Sequence, residues 1–205
     1  MSAFCSVGRF QEATRAMGPG LRACLWMRGC PFRCRGCATP ELQAFARDGR
    51  GSEQHTVAQV SAWIDRAKAE HGIDGVSFSG GDPFAQAPAL VEIARHARVR
   101  GLSTLAWSGY TLRELRSEHA PVGAQALLEQ LDVLIDGRFV QRLAAGDPLR
   151  GSSNQRMHLL TGRHTLDEFL HTEVEVVVAP DGTLVTGVTD YELVRVVLDL
   201  ADATL

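Results

Sequence analysis

Four short apolar runs, each closing in a glycine-containing loop, constrain this 205-residue chain more than any other feature. They span 21–29 (LRACLWMRG), 75–81 (GVSFSGG), 102–109 (LSTLAWSG) and 132–137 (DVLIDG). Longer amphipathic stretches separate them. In the first of these, Val57, Val60, Ile64 and Ala67 recur at helical spacing and Gly72 supplies a stop. The stretch 87–101 repeats the pattern, and a helical region around 111–131 precedes the fourth run. Strands alternating with helices imply right-handed crossovers and a parallel sheet. In such α/β folds ligands gather at the carboxyl ends of the strands. The motifs richest in chemistry fall at such ends here.

The tail departs from this rhythm. Residues 172–188 hold two β-rich runs around Asp181-Gly182, a hairpin signal, and the next dozen residues suggest a closing helix. The expected organisation is therefore a core over 1–160 and a C-terminal extension over 161–205 packed on it. No run of eighteen apolar residues predicts a membrane helix. The start lacks an apolar leader segment, and cytoplasm is the expected location. A net charge of -3 argues against a broad nucleic-acid face.

Three of the five cysteines, Cys30, Cys34 and Cys37, crowd into the loop after the first run. An odd, clustered count does not fit a disulfide framework and points to reduced thiols serving as metal ligands. A closed zinc site needs four ligands, and its fourth would have to come from Cys5, Cys24 or His55, none regularly spaced from the triad. An iron-sulfur cubane held by three thiolates instead leaves one iron open to a small molecule. Gly29 and Gly36 let the backbone approach such a cluster closely.

The remaining motifs each carry two readings. In SFSGGDPF (77–84) the paired glycines expose backbone groups that an ammonium can reach, beside the carboxylate of Asp82; turn chemistry alone also explains Gly, Asp and Pro there. The loop 150–158 (RGSSNQRMH) is either a polar loop bonded to its own backbone or a clasp for a ligand or partner. Asp136 and Arg138 sit at the end of the fourth run as a candidate pair. Trp26 and Trp107 read as packing groups, and Cys5 and Cys24 as plain thiols.

Taken together, Cys-x3-Cys-x2-Cys, GGDP (80–83), GPGLR (18–22), WSGY (107–110), DVLIDGRFVQ (132–141) and RGSSNQRMH resemble the radical S-adenosylmethionine superfamily. Within it they are most similar to the glycyl-radical-enzyme activases of anaerobic ribonucleotide reductases. Met17 departs from that pattern, which often has an acid or amide before GPG.

The resemblance implies a partial (βα) barrel, here with a C-terminal β-hairpin and helix. It implies a [4Fe-4S] cluster on Cys30, Cys34 and Cys37, and S-adenosyl-L-methionine on its open iron. Gly80, Gly81 and Asp82 would hold the methionine end of that molecule, and Ser108 its ribose. Asp136, Arg150 and Asn154 are further candidate contacts to it or to substrate. The implied activity is reductive cleavage to a 5'-deoxyadenosyl radical, which takes hydrogen from a glycine of a partner enzyme. That partner is the large subunit of an anaerobic ribonucleotide reductase, and the electron donor is a carrier such as flavodoxin or ferredoxin. Two alternatives stay open: a related small radical enzyme acting on a peptide or metabolite, and a non-enzymatic metal-binding interaction module.

Overall fold

The computed structural model describes residues 3–45, 54–144, 148–171, 173–179 and 182–187. Its centre is a mixed seven-stranded sheet in the order β3-β1-β2-β4-β5-β6-β7. Here β1 is Phe4–Thr14, β2 Arg22–Met27, β3 Gln54–Thr56, β4 Gly75–Gly80, β5 Ser103–Ser108, β6 Val133–Asp136 and β7 Arg156–Leu159. The middle four strands, β2, β4, β5 and β6, run parallel. These are the four apolar runs, and the α/β class expected from them is what the chain adopts. The outer strands β3 and β7 do not pair, so the sheet is open among the described residues.

The edges were less legible. Strand β1 pairs antiparallel to β2 through an irregular register, although residues 4–14 carry no clean alternation. Strand β7 forms antiparallel to β6 from the end of the polar 150–158 stretch. The helical region expected over 111–131 is two short helices, α3 (Leu112–Leu115) and α4 (Ala124–Leu128). Pro121 and Gly123 break it, the latter with φ of +83°.

The two long helices cover one face of the sheet. Helix α1 (Val57–His71) starts at a Thr56/Gln59 capping box and ends at Gly72 in the left-handed region. It buries Val60, Ile64 and Ala67, while α2 (Ala87–Val99) buries Leu90, Ile93, Ala94 and Ala97. Their buried residues share one apolar core with Leu25, Met27, Val76, Phe78, Ala106 and Leu134 of the sheet.

The GPGLR segment is fastened at the amino ends of the parallel strands. Arg22 is fully buried, and its guanidinium donates to Ser77 Oγ (2.7 Å), Ser103 Oγ (2.8 Å) and the carbonyls of Pro19, Val76 and Ser103. Neutral oxygens thus satisfy all of its donor nitrogens, and burial pulls its pKa down to about 10.

Beyond β7, strands β8 (Glu175–Ala179) and β9 (Gly182–Thr186) form the expected hairpin, with Ala179 opposite Gly182. It meets β1 where Gln11 Nε2 donates to Glu175 (3.1 Å) and Thr186 Oγ1 donates to Gln11 Oε1 (3.0 Å). The expected closing helix lies outside the described residues. Among those described, no helix is long and apolar enough to cross a membrane.

Candidate functional site

The register of the parallel strands brings four loops to one end of the sheet. Met27 lies opposite Gly80, and Ser108 opposite Asp136. The cysteine loop therefore leaves β2 beside the Gly80–Asp82 turn, while Ser108-Gly109 and Asp136-Gly137 close the neighbouring strands.

Backbone bonds hold the base of the cysteine loop. Gly29 N donates to Leu42 O (2.8 Å) and Cys30 N to Gln43 O (3.0 Å), pinching residues 29–43 into a closed loop. Gln86 braces the strand before it, donating to the carbonyls of Arg28 (2.8 Å) and Ser6 (3.1 Å).

The inner side of the loop is stitched to the turn after β4. Gly81 N donates to Met27 O (2.7 Å), Asp82 N to Gly29 O (2.9 Å), and Thr39 Oγ1 to Gly80 O (3.1 Å). Both glycines are required by contact. A Cβ on Gly80 would stand 2.5 Å from Met27 N, and one on Gly81 would stand 2.3 Å from Gly29 O.

Asp82 knits this turn to β5. Its carboxylate accepts from Phe84 N (2.9 Å), Gly109 N (2.8 Å) and Ser108 Oγ (3.1 Å). Burial pushes its pKa up to about 6, opposed by those same donors. Ser108 Oγ, besides donating to Asp82, accepts from Tyr110 N (3.1 Å). The two residues expected to touch a ligand thus bond each other, and they fix the distance between neighbouring strand ends.

The outer side of the loop meets the segment after β6. The Phe32 ring lies against Gly109, where a Cβ would approach to 2.3 Å. Tyr110 packs edge-on to it at 4.7 Å, and the Arg138 guanidinium covers it at 4.5 Å. Asp136 accepts from Leu112 N (2.5 Å) at the start of α3. His158 Nε2 stands 3.0 Å from Asp136 Oδ2 but out of line for a hydrogen bond. Arg138 stacks on Phe32, so the candidate Asp136–Arg138 pair does not form in this arrangement. Asn154 Nδ2 donates to Arg138 O (2.9 Å) and Arg150 Nη1 to Gln155 O (3.3 Å).

The three thiols are half-buried. Burial pushes Cys30 up to about 11, with Asp82, Cys34 and Cys37 adding to the push, and it also raises Cys34. A metal that binds them must displace protons. The sulfurs do not all lie within 4.8 Å of one another; among the described residues only Glu12, Glu70 and His71 group that closely. Zinc at about 2.3 Å from each thiolate holds sulfurs about 3.8 Å apart in a tetrahedron. Three thiolates are the donor number of a cubane that leaves one iron open. Cys5 and His55 face each other in the β1–β3 ladder and Cys24 is buried within β2, so none of them groups with the triad as a fourth ligand. The donor set fits an iron-sulfur cluster with one open iron.

Comparison with known proteins agrees with this chemistry. The family model described as a 4Fe-4S single cluster domain matches residues 16–158. The anaerobic ribonucleoside-triphosphate reductase-activating protein of Vibrio cholerae is 35% identical over 149 residues, covering 70% of this chain and 91% of that one. Its namesakes from Salmonella typhimurium and Escherichia coli K12 are 32% and 31% identical over 150 residues, with the same coverage. The crystal structure of QueE from Escherichia coli overlaps 53% of each chain at 17% identity and a TM-score of 0.41. The whole of the C-terminal extension, 161–205, lies beyond the family model. With 70% of its length aligned at 35% identity and the single-cluster domain spanning its cysteine loop, the chain belongs to the family of anaerobic ribonucleoside-triphosphate reductase-activating proteins.

Proposed function

We propose that this chain reductively cleaves S-adenosylmethionine and abstracts hydrogen from a backbone glycine of an anaerobic ribonucleotide reductase, so activating it. One observation carries the reading: three half-buried thiols and the Gly80–Asp82 turn converge on one set of strand ends in a member of the activating-protein family. Cys30, Cys34 and Cys37 are assigned as the ligands of a [4Fe-4S] cluster. When bound and reduced, that cluster supplies the electron that splits the sulfonium C–S bond, freeing a carbon radical that takes a hydrogen atom.

The chain's own residues bind and position. Gly80 and Gly81 let the turn pack directly on the backbone of Met27 and Gly29, which sets the turn assigned to the methionine end of the molecule beside the cysteine loop. Asp82 and Ser108 hold that turn at a fixed offset from β5. Asp136 fixes the start of α3, and Arg150 and Asn154 fix the loop before β7. A glycine is a fitting target because its α-radical is stabilised by two flanking amides and unhindered by a side chain. The electron comes from a one-electron carrier of the flavodoxin or ferredoxin kind.

The test uses the reductase partner with its glycines deuterated. Deuterium appearing in 5'-deoxyadenosine, together with a glycyl signal in EPR, is the expected result. Vigorous cleavage with no deuterium transfer refutes glycine as the donor. It would favour a peptide or metabolite substrate instead, a reading that the long extension beyond residue 158 also supports.

A further inference from the structure

Residues 138–141 run alongside the cysteine loop and meet it on either side of Cys34. Arg138 covers the Phe32 ring at 4.5 Å, and a Cβ on Gly36 would touch the Gln141 side chain at 3.0 Å. The polar loop before β7 holds this segment in turn. Asn154 Nδ2 donates to Arg138 O (2.9 Å), Gln155 Nε2 donates to Gly137 O (2.8 Å), and Ser152 Oγ accepts from Val140 N (3.1 Å). The loop 150–155 is therefore a bracket on 137–140, and that segment is the outer wall of the cysteine loop.

We propose that Arg138 forms an electropositive rim beside the cysteine loop that raises the reduction potential of a cluster bound through Cys34. The inference rests on Cys34 being a cluster ligand, as assigned above. Reduction adds one negative charge to a cluster, and its potential is set by net charge, hydrogen bonds to sulfur and exposure. A guanidinium held over the aromatic ring two residues before Cys34 favours the reduced state. Arg138 is exposed, so its effect is screened by salt.

The experiment is an anaerobic redox titration of the full chain reconstituted with iron and sulfide, followed by EPR at low salt and at 1 M salt. Arg138→Gln is expected to lower the equilibrium constant for cluster reduction about tenfold, a fall of about 59 mV for a one-electron couple. Arg138→Lys is expected to retain most of the wild-type potential, and high salt to shrink the difference. An Arg138→Gln protein with the wild-type potential overturns the inference. So does a fall that Lys fails to rescue, or one that persists undiminished in salt. Should Arg138→Gln not load, the wild type decides alone: its potential must fall as salt rises, and a salt-independent value overturns the rim. If the wild type itself loads no cluster that depends on Cys34, the functional reading fails and not merely this refinement.

Discussion

Gly81→Ala isolates the contact on which the site's geometry depends. The added Cβ would stand 2.3 Å from the carbonyl oxygen of Gly29, whereas ordinary contact begins near 3.4 Å. That oxygen is backbone and cannot rotate aside, and Gly81 lacks the positive φ that would confuse the result with conformational strain. Relief requires the turn and the cysteine loop to part by about 1 Å, the difference between the two distances. Such a movement breaks the Gly81 N–Met27 O and Asp82 N–Gly29 O bonds, now 2.7 and 2.9 Å. Overpacking costs about 1–3 kcal/mol and each lost bond about 1 kcal/mol, so the variant should lose about 4 kcal/mol in all. For a chain of this size that lowers the melting temperature by about 12 °C. Anaerobic circular-dichroism melts of the reduced apoprotein read the loss, and iron per chain after reconstitution reads the site. Gly162→Ala is the control, because nothing lies within 4 Å of its Cβ position and its φ is ordinary. A Gly81→Ala protein that melts with this control and loads as much iron as wild type refutes the stitched-loop account.

Other perturbations probe separate parts of the structure. Asp82, held near pKa 6 in the fold against about 3.9 unfolded, binds its proton more tightly when folded. Its favourable contribution is complete below about pH 4 and is lost as pH rises through 6, so wild type should gain about 2 kcal/mol on Asp82→Asn between pH 7 and pH 4.5. Urea midpoints at the two pH values measure this; a constant difference contradicts it. Arg22→Lys keeps the charge but cannot make the five bonds of the buried guanidinium, and should cost about 3 kcal/mol. A melting temperature within 2 °C of wild type, against about 9 °C expected, would argue against that role. Alanine at Cys30, Cys34 or Cys37 should abolish loading of a cluster that responds to S-adenosylmethionine, while Cys24→Ala retains it, as judged by iron content and EPR.

Different parts of the molecule were legible for different physical reasons. The four parallel strands declared themselves because strands buried on both faces read as continuous apolar runs. Helix α1 was plain from its spacing and from Gly72, whose left-handed conformation the stop required. Strand β1 was hidden because its Gly8, Arg9, Gln11 and Glu12 face only partial burial and its register with β2 shifts twice. The gathering of cysteines, glycines and Asp82 at strand ends followed from topology. Their bonding did not, since no spacing rule says that Asp82 bonds Ser108 and Gly109 across 26 and 27 residues. Arg22 was visible only as part of a motif; that it is entirely buried on neutral oxygens needed Ser77 and Ser103 in place. Phe32 and Arg138, apart in sequence, meet only because β5 and β6 end beside the cysteine loop.

The measurement that bears most directly on the central claim is 5'-deoxyadenosine formation by the reconstituted chain. It is made anaerobically with S-adenosylmethionine and a strong reductant, beside the Cys34→Ala protein. Product from the wild type and none from Cys34→Ala is what three thiols at the strand ends predict. A fully loaded wild-type cluster that neither yields product with the reductase present nor shifts its EPR spectrum on adding S-adenosylmethionine would contradict it.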